Sequence, residues 1–211
     1  MCQVQVEDDG LVLDADNLDV EPIREDQQYG GVRVKTTAHL GSTRIPVQVD
    51  IGFDDAVTPA AQELEFPSLL SAEGPRLKTY PRETVVAEKL QAIVALGQAN
   101  SRMKDFYDLL ALSRLFAFEG GSLVQAIRAT FERRGTALPT DTPVGLSAAF
   151  AEDSAKARQW SAFAGREPLL LLPSNLPAAI IAIGEFVLPP LDASASDAGF
   201  ERRLPAGGPW T

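Results

Sequence analysis

Four residues of this 211-residue chain pair a charge with a position that calls for a partner: Lys89, Asp105, Asp108 and Asp50. Lys89 belongs to the run 82–96, where Val85, Val86, Ala92, Ile93 and Leu96 recur at helical spacing behind Pro81. At about 100° per residue Lys89 falls in the middle of that apolar stripe, while Glu88, Gln91 and Gln98 point elsewhere. A lysine so placed must snorkel to water, pair with a carboxylate, or meet an anion such as a phosphate. Asp105 and Asp108 stand three apart on a second predicted helix, which starts near Ser101, a suitable N-cap. Leu112 and Leu115 continue the Asp108 row inward, so Asp108 is expected to be partly buried. Arg102 and Lys104 can neutralise the two acids in a purely structural network.

Asp50 lies on a strand. In residues 43–53, Ile45, Val47, Val49, Ile51 and Phe53 share one face, and Arg44, Pro46, Gln48 and Asp50 the other. The preceding strand, 32–40, alternates in the same way, and Gly41-Ser42 is a two-residue turn that closes a hairpin. Asp50 thus projects from a polar face near the strand's end, with Gly52 leaving room beside it. An exposed strand aspartate is commonplace; a carboxylate serving a site is the alternative. Asp54 and Asp55 suit the turn that follows.

Other elements must position these residues. A short hairpin is expected around the acidic turn 7–10, and Asp14, Asp16 and Asp19 read as solvated loop or strand-end acids rather than an Asp-x-Asp metal site. Residues 58–78 read as a long connection with a short helix or strand near 63–70. A third helix, 123–134, is capped by Ser122 and ended by Gly135, and its Arg128, Arg133 and Arg134 form either a solvated face or an RNA contact. Two further helices are predicted at 152–164 and 174–188, with a proline-bearing linker at 136–146 before them. Residues 192–211 are rich in Ala, Ser, Gly and Pro and are expected to be loose. The division expected is a strand region 1–79, a helical subdomain 80–191 and a tail 192–211, an α+β organisation.

A formal charge of −10 and a pI near 4.6 argue against nonspecific binding of a phosphate backbone by the whole surface, though not against a local basic pocket. The single Cys2 excludes an intramolecular disulfide and a cysteine zinc site, and the single His39 cannot form a metal cluster alone. No run of 18 apolar residues and no signal-peptide pattern is present, so a cytoplasmic protein without a membrane partner is expected.

The segment AEKLQAIVALGQANSRMKDFYDL (87–109) resembles a motif of the AbiEii-type nucleotidyltransferase toxins, the toxin half of type IV toxin–antitoxin systems. VQVDIGFDDAVTP (47–59) resembles a strand of the same family, and the likeness extends over roughly residues 4–191. The resemblance implies a polymerase-β-like nucleotidyltransferase core followed by helices. It implies transfer of a nucleotide from an NTP to an acceptor, RNA and notably tRNA, with Mg2+ as cofactor and a cognate antitoxin as partner. In its terms Asp50 is the strand carboxylate and a metal ligand, Lys89 a phosphate contact, and Asp105 and Asp108 the acids of the last motif. The catalytic set is then Asp50, Lys89 and Asp108, and the nucleotide-binding set Lys89, Arg102, Lys104 and Asp105. Asp54 stands where the family has glycine. The family's glycine-rich helix start and Asp-x-Asp dyad would lie upstream of Met1, which implies a partial core, inactive as given, with an apolar sheet face left partly uncovered. The alternatives are a non-catalytic remnant or interaction protein that keeps the fold, and a generic helical binding module with a structural Lys89–Asp108 pair.

Overall fold

The computed structural model describes residues 8–23, 31–53, 57–68, 74–165, 175–196 and 199–211. Cys2, Asp54 and Asp55 lie outside these residues, as do the start of the first expected hairpin and the helix start expected at Ser174. Two compact units divide the chain, 1–55 and 56–211, so the boundary expected at 79/80 falls inside the second.

The first unit is an antiparallel sheet built on one long hairpin. Strands β3 (Gly31–Leu40) and β4 (Thr43–Gly52) pair along their whole length, from Gly31↔Gly52 to Leu40↔Thr43. Gly41 takes φ +58 in the connecting turn, a conformation that a side chain would strain. Strands β1 (Leu11–Leu13) and β2 (Asp19–Ile23) lie end to end along the other edge of β3. Between them Asp14 accepts the amides of Asp16 and Asn17, its own carbonyl accepts Thr36 Oγ1, and its amide donates to Thr37 O. Asp14 is thus a turn acid, as its surroundings suggested, and the Asn17 side chain holds its carboxyl below the ordinary range. Alternation sorts the sheet into an apolar face, with rows such as Val20/Val34/Val49, and a polar face, with Glu21/Arg33/Asp50. Ala38 is the buried residue of this unit among those described, and Val20, Ile45, Ile51 and Phe53 remain exposed.

The second unit is mostly helical. It opens with the antiparallel pair β5 (Gln62–Glu65) and β6 (Arg76–Thr79); a short helix or strand was expected near 63–70, and β6 was not expected. Helices α1 (Arg82–Leu96), α2 (Met103–Leu115), α3 (Gly120–Arg133) and α6 (Leu176–Ser196) then surround a core of Leu90, Ile93, Phe106, Leu110, Ile127 and Phe186. The buried stripe of α1 is Val86, Leu90 and Ile93 rather than the one centred on Lys89; Leu96 is exposed, and Lys89 flanks the stripe. The predicted helix 152–164 is α5 (Ser154–Ala164), and a short helix that was not expected, α4 (Ala148–Glu152), precedes it. Asp153 separates them because its carboxylate accepts the amides of Ala155 and Lys156 and so starts a new helix.

Two corrections concern the chain's end. Helix α3 begins at Gly120, not after Ser122, and residues 199–211 pack so closely on its start that a side chain is excluded there: a Cβ on Gly120 would lie 2.4 Å from the Phe200 ring and 2.7 Å from Arg202 O. Residues 199–211 are also not loose. Strands β7 (Phe118–Glu119) and β8 (Arg203–Leu204) pair, Leu204 is buried, and Trp210 stacks against Phe186. Pro190 inside α6 removes the N–H that would bond Phe186 O, and Trp210 Nε1 donates to that carbonyl at 2.9 Å. Helix α6 has the length and hydropathy of a membrane span, but 56% of that stretch is buried within the protein.

Trp210→Phe keeps the ring packing and deletes this donor. It is expected to cost about 1–2 kcal/mol, because a largely buried carbonyl loses its partner. Urea unfolding measures this; an unchanged midpoint would show that water replaces the indole.

Candidate nucleotide-binding site

The α1–α2 turn brings together three of the four residues whose charge and position call for a partner, Lys89, Asp105 and Asp108, but not Asp50. Gly97 ends α1 with φ +48, and residues 97–99 form a short 3-10 turn before Asn100. Asn100 is fully buried. Its Oδ1 accepts the Arg102 amide at 2.9 Å, and its carbonyl accepts Lys156 Nζ at 2.8 Å. Helix α2 then starts at Met103 with Arg102 as N-cap, so Asn100 rather than Ser101 secures the turn. This start fixes the direction of Asp105 and Asp108, one helical turn apart.

Lys89 reaches across from α1 to both acids. Its Nζ lies 3.0 Å from Asp105 Oδ1 and 2.7 Å from Asp108 Oδ2. The Lys89 side chain is 18% exposed, Asp105 6% and Asp108 20%, which makes Asp105 the deeper acid of the two. Leu115, expected on an inward row with Asp108, is exposed. Arg102 Nε lies 2.8 Å from Asp105 Oδ2, and Lys104 Nζ lies 2.7 Å from Asp108 Oδ2. The Arg102 contact is an ion contact rather than an aligned hydrogen bond, so this buried carboxylate oxygen keeps an unfilled acceptor position. Burial alone would push the Lys89 ammonium down; the bonds to Asp108 and Asp105 outweigh it, and the net shift is upward. Three cations against two carboxylates leave this spot positive within an acidic chain.

Asp50 belongs to the other unit and has local partners. Arg33 holds it through a fork, Nε to Oδ1 and a terminal nitrogen to Oδ2, both at 2.8 Å, and Gln48 adds a 3.2 Å bond. The hydrogen-bonded Arg33 guanidinium therefore lowers the Asp50 carboxyl below its ordinary range. Glu21 completes the cluster, 3.9 Å from Arg33 and 2.6 Å from Lys35. Among the described residues no three His, Cys, Asp or Glu side chains converge as metal ligands. With both Asp50 oxygens engaged by Arg33, the described residues do not make a magnesium site.

The basic cluster of α3 is not one face. Arg128 donates to the carbonyls of Ser194 and Ala193 at the end of α6. Arg134 binds Glu88 at 3.1 Å and Gln91 at 2.9 Å, and Gln91, expected to point away, is buried and donates to Thr136. Sequence reasoning missed Asn100 and Lys156. Lys156 is 7% exposed, and its signal was Trp160 and Phe163, which lie four and seven residues further on and share its face of α5.

Removal of the deeper acid is expected to cost more: Asp105→Ala about 3 kcal/mol, because Lys89 loses its buried partner, and Asp108→Ala under about 1 kcal/mol. Urea unfolding gives the order, and the reverse order would mean that Lys89 depends on Asp108. Since the Lys89 pKa is raised by folding, its stabilisation is complete below the ordinary lysine value and is lost as pH climbs through the folded value. Stability measured into the alkaline range should fall in the native chain and less so in Lys89→Met; parallel curves would exclude that linkage.

No curated protein and no solved structure matches the chain. Residues 3–183 match the family model described as nucleotidyl transferase AbiEii toxin, type IV TA system. That span takes in both the Asp50 hairpin and the Lys89–Asp105–Asp108 turn, and the chain therefore belongs to the AbiEii family of nucleotidyltransferase toxins of type IV toxin–antitoxin systems.

Proposed function

We propose that this chain binds the triphosphate of an NTP at the cluster of Lys89, Arg102 and Lys104, and that the reaction served is nucleotide transfer to an RNA acceptor, tRNA in particular, in the cytoplasm. The single observation behind this is the locally positive, partly desolvated group of three cations in a chain of formal charge −10. Phosphoryl transfer depends mostly on positioning and charge neutralisation, and a positive spot that is partly shielded from water supplies both. In this reading Lys89 contacts phosphate, Arg102 and Lys104 turn from their carboxylates toward the nucleotide, and Asp105 and Asp108 orient Lys89. Arg102 and Lys104 suit that exchange, with side chains 47% and 73% exposed. Asp50 is the strand carboxylate, and magnesium the metal of the complete reaction.

The isolated 211-residue chain is proposed to bind nucleotide without transferring it. Two magnesium ions require several carboxylates in one place, and the described residues bring no such group together. A second reading, a non-catalytic interaction protein of the same fold, is favoured by the Arg33 fork that occupies Asp50.

Calorimetry separates these readings, and a labelling assay tests the inactivity that both share. Lys89→Ala should weaken NTP binding in calorimetry about tenfold or more, with little change for Lys78→Ala, since only the former removes a desolvated phosphate contact. Equal effects would mean nonspecific attraction, and no binding in the native chain would favour the interaction protein. Incubation with labelled NTP, magnesium and total tRNA should give no labelled RNA. Labelling that disappears in Asp50→Ala would overturn the proposed inactivity.

A further inference from the structure

Helix α6 carries a second surface that nucleotide binding leaves unused. Pro177, Ile180, Ile181, Gly184 and Leu188 recur at three- and four-residue spacing and line a groove of about 480 Å3. Ala148 and Ala151 of α4 form its other wall. Small residues at 148, 151 and 184 keep the space open, and Ile181 stands 64% exposed at its lip.

The charged side chains around this groove are all of one sign. Glu152 ends α4, and Glu185 and Asp192 lie two turns apart on α6, about 10 Å along its axis. All three are exposed, no cation pairs with them among the described residues, and no Lys, Arg or His lines the groove. From Pro177 to Asp192 the groove follows α6 for about 22 Å, or four turns.

Shape and charge together select the occupant. A small molecule needs most of its surface enclosed, and a groove open along the Ile181 lip covers one side only. An amphipathic helix needs only one face covered. A second copy docking through the same groove would set three carboxylates against three, which is repulsive.

We propose that the α4–α6 groove is the docking site for a basic amphipathic helix of a partner protein. Its apolar side chains, at i, i+3 or i+4 and i+7, would fill the space over Ile180, Gly184 and Leu188. Lysines or arginines on its flanks would meet Glu152, Glu185 and Asp192.

The test uses the full chain and a fluorescent leucine–lysine peptide of about 16 residues, patterned to form an amphipathic helix of over four turns. Fluorescence anisotropy should show one peptide bound per chain, with the scrambled peptide of the same composition about tenfold weaker or more. Ala148→Trp fills the groove from an exposed position, and Glu185→Lys with Asp192→Lys reverses its rim; each should weaken binding about tenfold or more. Glu63→Lys with Glu65→Lys makes the same charge change on the distant β5 strand and should leave binding unchanged. The leucine–glutamate version of the peptide should bind the Glu185→Lys/Asp192→Lys chain and not the native one. Equal binding of the scrambled peptide would overturn the proposal, as would an equal loss in the β5 variant or no effect of Ala148→Trp. So would self-association of the native chain in ultracentrifugation that Ala148→Trp abolishes, which would assign the groove to a second copy.

Discussion

The Lys89 ammonium between Asp105 and Asp108 is the interaction on which the geometry of the α1–α2 turn depends. A lysine beside the buried stripe of α1 loses hydration, and that loss is recovered only with carboxylates at hydrogen-bond distance. Both acids must therefore come from a helix whose first turn lies against α1, and that helix must begin at one particular residue. Asn100 and Lys156 set the beginning. The buried Asn100 side chain takes the Arg102 amide, and Lys156 of α5 holds the Asn100 carbonyl. A shift of one residue in the start of α2 would rotate Asp105 by about 100° and leave Lys89 unmatched. The ion cluster and the packing of α5 are thus parts of one constraint.

Helix α6 imposes a comparable condition at the other end of the unit. Its two interior prolines, Pro189 and Pro190, remove two backbone donors from a helix that is largely buried, and the structure answers one of these losses with the Trp210 indole. Trp210 reaches Phe186 because Arg203 and Thr211 pair through their backbones and because Gly120 lets Arg202 approach within a hydrogen bond of its amide. Arg128 then covers the last carbonyls of α6. The final residues act as a clasp on the core, although their composition resembles that of a linker.

What could be read from the sequence follows how local its physical cause is. The β3–β4 hairpin is visible because alternation and a Gly-Ser turn are properties of neighbouring residues, and its register agrees with the pattern. That Lys89 needs a partner is visible too, but water, a carboxylate and an anion all stay open as that partner until α2 packs on α1 and brings Asp105 and Asp108 to it. Non-local causes stay hidden. The buried side of α1 is decided by what packs on it, so a stripe drawn through Val85 and Leu96 misses Leu90 and places Gln91 outside. Gly120 looks like a helix breaker until the residues that press on it are known. Arg128, Arg133 and Arg134 read as one basic patch, yet Arg128 bonds α6 and Arg134 bonds α1.

Asp50 and Lys89 have pairings of different kinds. Arg33 and Asp50 meet on a solvated sheet face, with side chains 33% and 45% exposed, where water competes for both partners and salt screens them. Such a fork gives direction more than stability, so a change of partner at Asp50 disturbs little of the surrounding sheet. Lys89 is the opposite case. Its carboxylates are shielded, one oxygen of Asp105 lacks an aligned donor, and a change there is felt by the start of α2. A group that must exchange partners is best placed at the surface, and one that must hold its geometry is best placed against the core. Asp50 meets the first description, and Lys89 the second.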